Sequence, residues 1–299
     1  VEYCAKRGIE VIPEIDMPGH NQALHAAYPE FFCFPKPDMN VRTTAGNSRE
    51  LVCPQKPEVW EFYAAVFKEL KDIFPSGTVH LGGDEAPTEL WGKCPLCREA
   101  RTKTGMKDEQ EQMRAFFAKT TVLLAKNGQT PQFWYEGNAG IYHPGETVYA
   151  WRQDQALQSI EKTKKAGLNL IMASNEYCYL DFPQIQGQRN WGWMKTTTLQ
   201  KCYELDPAFG KPEKEAGHIR GVHAPVWAER LPDLDHLLYR AYPRACAIAE
   251  AGWSPMSVRS WENFRRKLAD HRQFILKRFN YDMKRTQGNE PAFRWENNK

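Results

Sequence analysis

Two acidic residues stand side by side where an apolar run of the sequence ends. Asp84 and Glu85 follow the stretch VHLGG, a short predicted strand that runs into two glycines. Neighbouring residues of a regular strand point to opposite faces, but Gly82-Gly83 permits an irregular backbone that turns both carboxylates into one cleft. One ionised carboxyl beside one protonated carboxyl suits glycoside hydrolysis. The alternative is that the two acids cap the helix predicted after Pro87.

Aromatic residues recur at the ends of other apolar runs. Trp134, Trp151 and Trp227 each lie at or near a predicted strand end. Aromatic faces stack on the C–H face of sugar rings, so three such residues favour a carbohydrate site, although any one of them could be a core residue. Further candidates near run ends are Tyr179, Asp181 and Glu229.

The segment IPEIDMPGH brings Asp16 and His20 near each other in sequence. With Asp84 they make a metal-dependent hydrolase an alternative, because His and carboxylate groups bind metal ions. The compact H-E-x-x-H spacing is absent, however, and Pro18-Gly19 indicates a turn in which His20 pairs with an acid. We therefore expect no metal and no cofactor at this site.

Eight cysteines leave their pairing open. Cys94 and Cys97 form a C-x-x-C, but no second pair follows at zinc-site spacing, so a local disulfide or two free thiols are favoured. Cys33 and Cys53 bracket a polar stretch and could close it with a disulfide.

Apolar runs and helical patterns alternate along the chain. Strand–helix alternation favours a parallel sheet covered by helices, and polar or aromatic residues at the run ends are typical of a (β/α)8 barrel. Six runs, not eight, predict an incomplete barrel, and no Gly-rich phosphate loop follows the first run. The predicted strands span 9–16, 78–85, 132–137, 147–152, 168–174 and 221–229. The predicted helices span 57–74, 108–128, 154–167, 234–252 with a break at Pro243, and 261–279 before a polar tail.

Composition narrows the class of protein. The 299 residues are 41% hydrophobic and 26% charged, with a net charge of +3 spread along the chain. This balance gives no support for a nucleic-acid or anionic-membrane partner, and no apolar run reaches membrane-spanning length.

The motifs together resemble a known family. VIPEIDMPGH followed by VHLGGDEA, then FWYEG, VYAWR, YCYLDF, GVHAPVWAER and AYPRACAIAEAGWS, are similar in type and order to glycoside hydrolase family 20, the β-N-acetylhexosaminidases. CPLCREARTKTGMKDEQEQ is closest to a bacterial, Bacteroidetes-like branch. The resemblance implies a (β/α)8 barrel that removes terminal β-linked GlcNAc or GalNAc with retention, using the substrate's acetamido oxygen as the nucleophile.

The resemblance also implies a role for each candidate residue. Glu85 would be the general acid and then the base, and Asp84 would orient the acetamide. Tyr179 would bind the acetamide oxygen, and His20, with Asp16 nearby, would support Glu85. Trp134, Trp151 and Trp227 would wall the sugar pocket, and Asp181 and Glu229 would bind ring hydroxyls.

Residues 1–299 are expected to hold strands 3 to 8 of the barrel, its C-terminal helix and a polar tail. The family's small N-terminal α/β domain, its first two strands and their Arg and Asp would then be absent. We expect a glycan or amino-sugar substrate, no cofactor and an exported protein. Alternatives are a disaccharide-releasing enzyme of the family, a non-catalytic carbohydrate-binding protein and the metal-dependent hydrolase.

Overall fold

The computed structural model describes residues 1–43, 46, 49–188 and 192–279. The chain forms two compact units. Unit 1 comprises Val1–Tyr149 and Glu161–Leu170, and unit 2 comprises Ala150–Ile160 and the described residues from Ile171 onward. The predicted polar tail after residue 279 lies outside the described residues.

A five-stranded sheet has its strands in the order of the sequence. The strands are β1 Thr78–His80, β2 Thr130–Trp134, β3 Thr147–Ala150, β4 Asn169–Met172 and β5 Ile219–Val222. Strands β1, β2 and β3 pair in parallel, with Val79 opposite Pro131 and Phe133 opposite Val148. Hydrogen bonds from Asn169 N to Glu146 O and from Ala173 N to Ala150 O advance in step along both chains, so β3 and β4 are also parallel.

The first predicted strand, 9–16, differs from the prediction. Only an isolated parallel bridge between Glu14 and His80 joins this segment to β1. Ile15 N donates to His80 O and Met17 N to Leu81 O, but Pro13 and Pro18 have no N–H to continue a ladder. The described residues therefore contain five strands, and the segment 9–16 is bridged to β1 without forming a sixth.

Helices lie between most of the strands, as predicted. The periodic segments after Pro57 and Asp108 form α3 and α6, and the predicted break at Pro243 divides α11 from α12, because proline cannot continue the helical hydrogen bonding. The helices are α1 Glu2–Ala5, α2 Gln22–Ala27, α3 Pro57–Ile73, α4 Glu89–Lys93, α5 Pro95–Thr104, α6 Glu109–Ala125, α7 Ala156–Lys165, α8 Asn175–Cys178, α9 Leu199–Tyr203, α10 Glu213–Ala216, α11 Leu234–Ala241, α12 Arg244–Trp253 and α13 Trp261–Phe279. Short 3₁₀ turns cover Pro29–Phe31, Ala139–Ile141, Gln153–Gln155, Ala228–Arg230 and Met256–Val258.

An aromatic core in unit 1 fixes the end of β1. Phe117 of α6 packs on Phe133 of β2 with ring centroids 4.5 Å apart, and both are fully buried. A Cβ on Gly83 would lie 2.7 Å from Cζ of Phe117. The backbone just before the acid pair therefore lies directly on the buried ring of α6.

Unit 2 has its own core, formed where α9 and α12 pack around Leu180, Cys202 and Ile248.

Among the described residues, no helix combines the length and apolarity needed to cross a membrane.

Candidate functional site

The backbone at the end of β1 leaves regular strand geometry as the two glycines predicted. Gly82 and Gly83 have φ of +63° and +94°, and Glu85 itself has φ of +49°. Such values are unfavourable for a residue with a Cβ and mark a conformation that the surroundings impose. At Gly82 an added Cβ would lie 2.0 Å from Oδ1 of Asp16, so only glycine fits.

Unit 1 gathers four of the predicted residues, Asp16, His20, Asp84 and Glu85, which we call the acid cluster. The Nε2 atom of His20 lies 3.5 Å from Oδ2 of Asp84 and 3.6 Å from Oε2 of Glu85. The interaction with Asp84, partly offset by burial, raises the pKa of His20 to about 9. The imidazole of His20 is therefore protonated at neutral pH, where it stands between Asp84 and Glu85.

Asp16 supports the acid pair from behind. Its Oδ1 accepts a hydrogen bond of 3.0 Å from the Gly83 N–H, which fixes the turn that follows β1. Burial, and then the charge of Asp84, raises the pKa of Asp16 well above its ordinary value. Asp16, His20 and Asp84 also bring possible ligand atoms within 4.8 Å of one another, as the metal-dependent alternative requires.

The two carboxyl oxygens of Asp84 differ in their contacts with the described residues. Its Oδ2 faces His20, while its Oδ1 is buried and accepts no hydrogen bond from any described residue. A buried acceptor without a donor is costly, so a bound group that brings an N–H to Oδ1 gains from it. The helix-cap alternative for the pair is wrong, because α4 begins at Glu89 and its N-cap is Thr88.

Trp134 ends β2 and is 3% exposed. Its indole N–H donates to Oε1 of Glu14 over 2.8 Å, and the same oxygen lies 3.2 Å from Nδ1 of His80. Sequence reasoning did not assign roles to Glu14 and His80. The available signal was Glu14 in IPEID, a carboxylate in the segment that bridges to the strand carrying His80.

Unit 2 brings three more predicted residues, Trp151, Tyr179 and Trp227, into an aromatic cluster that also contains Phe182 and Met194. The rings of Trp151 and Tyr179 stack with centroids 6.3 Å apart, and Trp227 lies 6.2 Å from Tyr179. Both Trp residues are half-buried, so each keeps some ring surface exposed.

Asp181 lies beside the aromatic cluster and is 8% exposed. Burial, helped by the charge of Glu229, raises its pKa to about 7. Its Oδ1 is buried and has no hydrogen-bond donor among the described residues. Asp181 and the exposed Glu229 are thus near enough for their charges to interact.

Arg244 was missed by sequence reasoning. Its guanidinium is fully buried and donates to the carbonyls of Leu180, Thr197 and Arg240 at 2.5, 2.9 and 2.7 Å. Leu180 lies between Tyr179 and Asp181, and its N–H donates to Pro225 O over 2.8 Å. The signal was an Arg inside the apolar run AYPRACAIA, where a charge needs buried acceptors.

Comparison with known proteins identifies the family of the chain. The family model described as "Glycosyl hydrolase family 20, catalytic domain" matches residues 1–256. The chain belongs to glycosyl hydrolase family 20. The prediction of that family is therefore confirmed.

Individual relatives show how the similarity is distributed. A beta-hexosaminidase of Akkermansia muciniphila is 93% identical over the whole chain, and one of Porphyromonas gingivalis is 32% identical over 90% of it. The chain spans 61% and 34% of the lengths of these relatives.

Solved structures give the same fold. A crystal structure of a beta-N-acetylhexosaminidase matches 99% of this chain with a TM-score of 0.97 and 93% identity, and the match covers 63% of that structure's chain. A Streptomyces plicatus beta-hexosaminidase mutant in complex with its product GlcNAc matches 92% of this chain and 52% of its own, with a TM-score of 0.75 and 30% identity. The predicted α/β class, with a parallel sheet belonging to an incomplete (β/α)8 barrel, is confirmed.

Proposed function

We propose that the protein hydrolyses terminal β-linked N-acetylhexosamine, GlcNAc or GalNAc, from the end of a glycan with retention of configuration. The observation that carries the proposal is the open Oδ1 of Asp84 beside Glu85. The substrate of this reaction has two neighbouring groups that each require a carboxyl group. The glycosidic oxygen must be protonated, and the acetamide N–H must be held by a hydrogen bond. Family membership and the names of the relatives support the same activity.

Glu85 and Asp84 divide the chemistry. Glu85 gives its proton to the glycosidic oxygen while the acetamido oxygen attacks C1, so the leaving group departs as an alcohol and an oxazolinium ion forms. Asp84 accepts the acetamide N–H and stabilises the positive charge on that ring. Glu85 then takes a proton from water, which attacks C1 and releases the sugar with its original anomeric configuration.

The remaining residues bind and orient the sugar. Tyr179 donates a hydrogen bond from its hydroxyl to the acetamide oxygen, and Trp134, Trp151 and Trp227 supply apolar ring surface. Asp181 and Glu229 bind hydroxyls, and protonated His20, backed by Asp16, holds both acids in place. The open Oδ1 of Asp181 and its proximity to Glu229 support the hydroxyl assignment.

Within the same proposal, residues 1–299 are the catalytic barrel portion of an exported enzyme, with an N-terminal domain and the first two strands outside this chain. The relatives are longer than this chain, which spans 61% and 34% of their lengths, and this supports further segments outside it but does not bear on export. A signal segment at the start of the encoded protein and activity in the extracytoplasmic fraction would test the export.

The deciding experiment compares a chromogenic β-GlcNAc glycoside with the matching β-glucoside, which lacks the acetamide. We expect turnover of the first only, both by the full-length protein that contains this chain and by the Akkermansia relative measured beside it. Turnover of both substrates would contradict an acetamide nucleophile and favour the metal-dependent alternative. Turnover of neither substrate by either protein would favour a disaccharide-releasing enzyme or a carbohydrate-binding protein.

A further inference from the structure

Four cysteines of unit 1 converge on one point outside the acid cluster. The Sγ atoms of Cys33, Cys53, Cys94 and Cys97 all lie within 4.8 Å of one another. Cys53, Cys94 and Cys97 are buried, and Cys33 is half-buried. The C-x-x-C does have a second pair of partners, but that pair precedes it in sequence.

The spacing of the sulfur atoms is that of metal ligands. Sγ of Cys97 lies 3.7 Å from that of Cys33 and 3.6 Å from that of Cys53. Four sulfurs around Zn²⁺ at bonds of about 2.3 Å stand about 3.8 Å apart at the corners of a tetrahedron. A disulfide needs about 2.0 Å and joins only two cysteines, whereas Cys97 is equally close to two.

We propose that Cys33, Cys53, Cys94 and Cys97 bind one Zn²⁺ as a closed structural site. Each thiol releases its proton to solvent as its sulfur binds the ion, with no change of oxidation state. Four protein ligands complete the tetrahedron and leave no position for water or substrate, so this zinc takes no part in glycoside hydrolysis.

Backbone structure positions both pairs of cysteines. Phe32 and Val52 form an antiparallel bridge, in which Cys33 N donates to Leu51 O over 3.1 Å and Cys53 N to Phe31 O over 2.9 Å. Cys94 is the N-cap of α5 and Cys97 lies in its first turn. The positive end of the helix dipole favours thiolates there.

The site would also support the loop that carries His20. Val52 N donates to Pro18 O over 3.1 Å, and the indole N–H of Trp91 donates to Val52 O over 2.9 Å. Pro18 is two residues from His20, so zinc bound at Cys53 would hold the neighbouring Val52, whose N–H bonds to this loop. The zinc is thus expected to stabilise unit 1 without contacting the sugar.

The first test uses the unaltered full chain, prepared without added chelator. Metal analysis should find about one zinc per chain, and X-ray absorption should show a shell of sulfur alone at about 2.3 Å. Absence of stoichiometric zinc, iron in its place, nitrogen or oxygen ligands, or a Cys33–Cys53 disulfide in peptide mapping would each overturn the proposal.

The second test compares Cys97→Ser with Cys246→Ser, a half-buried cysteine outside the group of four. Cys97→Ser should lose the zinc and unfold at a lower temperature, and Cys246→Ser should keep the zinc. If Cys97→Ser does not fold, Cys33→Ser replaces it, because that residue is the most exposed of the four. Full zinc retention in a folded Cys97→Ser or Cys33→Ser variant would place the ion elsewhere, for example at Asp16, His20 and Asp84. That result would overturn the proposal.

Discussion

Glu85 and His20 share an uncommon backbone conformation, with φ of +49° and +51°. Each costs about 1–2 kcal/mol relative to ordinary backbone, so the surroundings must hold it in place. Two contacts do so: Asp16 accepts from Gly83 N–H, and Gly19 packs so closely that a Cβ there would lie 3.2 Å from Ala86 Cα. The loop that carries Asp16 to His20 and the turn after β1 therefore hold each other, and together they fix the positions of Asp84, Glu85 and His20.

Glu85→Gln tests the role of the general acid. A glutamine cannot give a proton to the leaving oxygen, so kcat should fall about 10²- to 10⁴-fold with little change in unfolding midpoint. The loss should be larger for an unactivated disaccharide than for a nitrophenyl glycoside, whose leaving group needs less protonation. Steady-state kinetics on both substrates measures it.

Glu89→Gln is the matched control, because Glu89 is an exposed glutamate four residues further on, paired with Arg49. Its kinetics should equal those of the unaltered chain. An equal loss on both substrates in Glu85→Gln would contradict the general-acid role.

The turn that ends β1 is expected to tolerate only glycine at position 82. Gly82→Ala must accept both a positive φ and a Cβ 2.0 Å from Asp16, whereas Gly105→Ala has a positive φ and open space around it. Gly105→Ala should cost about 1 kcal/mol of unfolding free energy, and Gly82→Ala about 2 kcal/mol more. Urea unfolding of both variants measures the difference, and equal costs would show that the contact with Asp16 does not constrain the turn.

Arg244 gives a second prediction at this scale. Arg244→Lys keeps the charge but cannot reach the three carbonyls that the guanidinium serves, so about 2–4 kcal/mol of stability should be lost. The loop with Tyr179 should loosen, and KM should rise. Arg259→Lys, which alters a half-exposed guanidinium that donates to one backbone carbonyl, Tyr203 O, and contacts Met256 Sδ, should cost about 1 kcal/mol. A similar cost for the two variants would contradict the positioning role of Arg244.

Features encoded locally were predictable, and features made by distant contacts were not. The helices at 57–73 and 109–125, the glycine turn and the acid pair each follow from adjacent residues. Arg244 meets Leu180 across 64 positions of sequence, and Cys97 meets Cys33 across 64. No period or motif links such positions, so folding alone brings them together.

Proton binding connects stability to pH at the scale of the whole molecule. The folded chain raises the pKa of Asp181 from 3.8 to about 7 and that of His20 from 6.5 to about 9, so it binds more protons than the unfolded chain. The stability contributed by Asp181 is present below pH 3.8 and lost by about pH 7. That of His20 is present below pH 6.5 and lost by about pH 9.

Two variants separate these windows in unfolding experiments across pH 4 to 10. His20→Asn should remove a fall on the order of 1–3 kcal/mol between pH 6.5 and 9, and Asp181→Asn should flatten the curve below pH 7 only. Each variant is the control for the other. Curves that stay parallel to that of the unaltered chain would show that neither group titrates as the structure indicates.

The division into units has a consequence for synthesis on the ribosome. Unit 1 consists of Val1–Tyr149 and Glu161–Leu170, and the chain passes through Ala150–Ile160 of unit 2 in between. Unit 1 cannot be completed when residue 149 leaves the exit tunnel, and must wait until residue 170 emerges. Domains generally fold in order from the N-terminus during translation. Here residues 150–160 of unit 2 are synthesised before unit 1 is complete. During that interval both units are incomplete and accessible to chaperones.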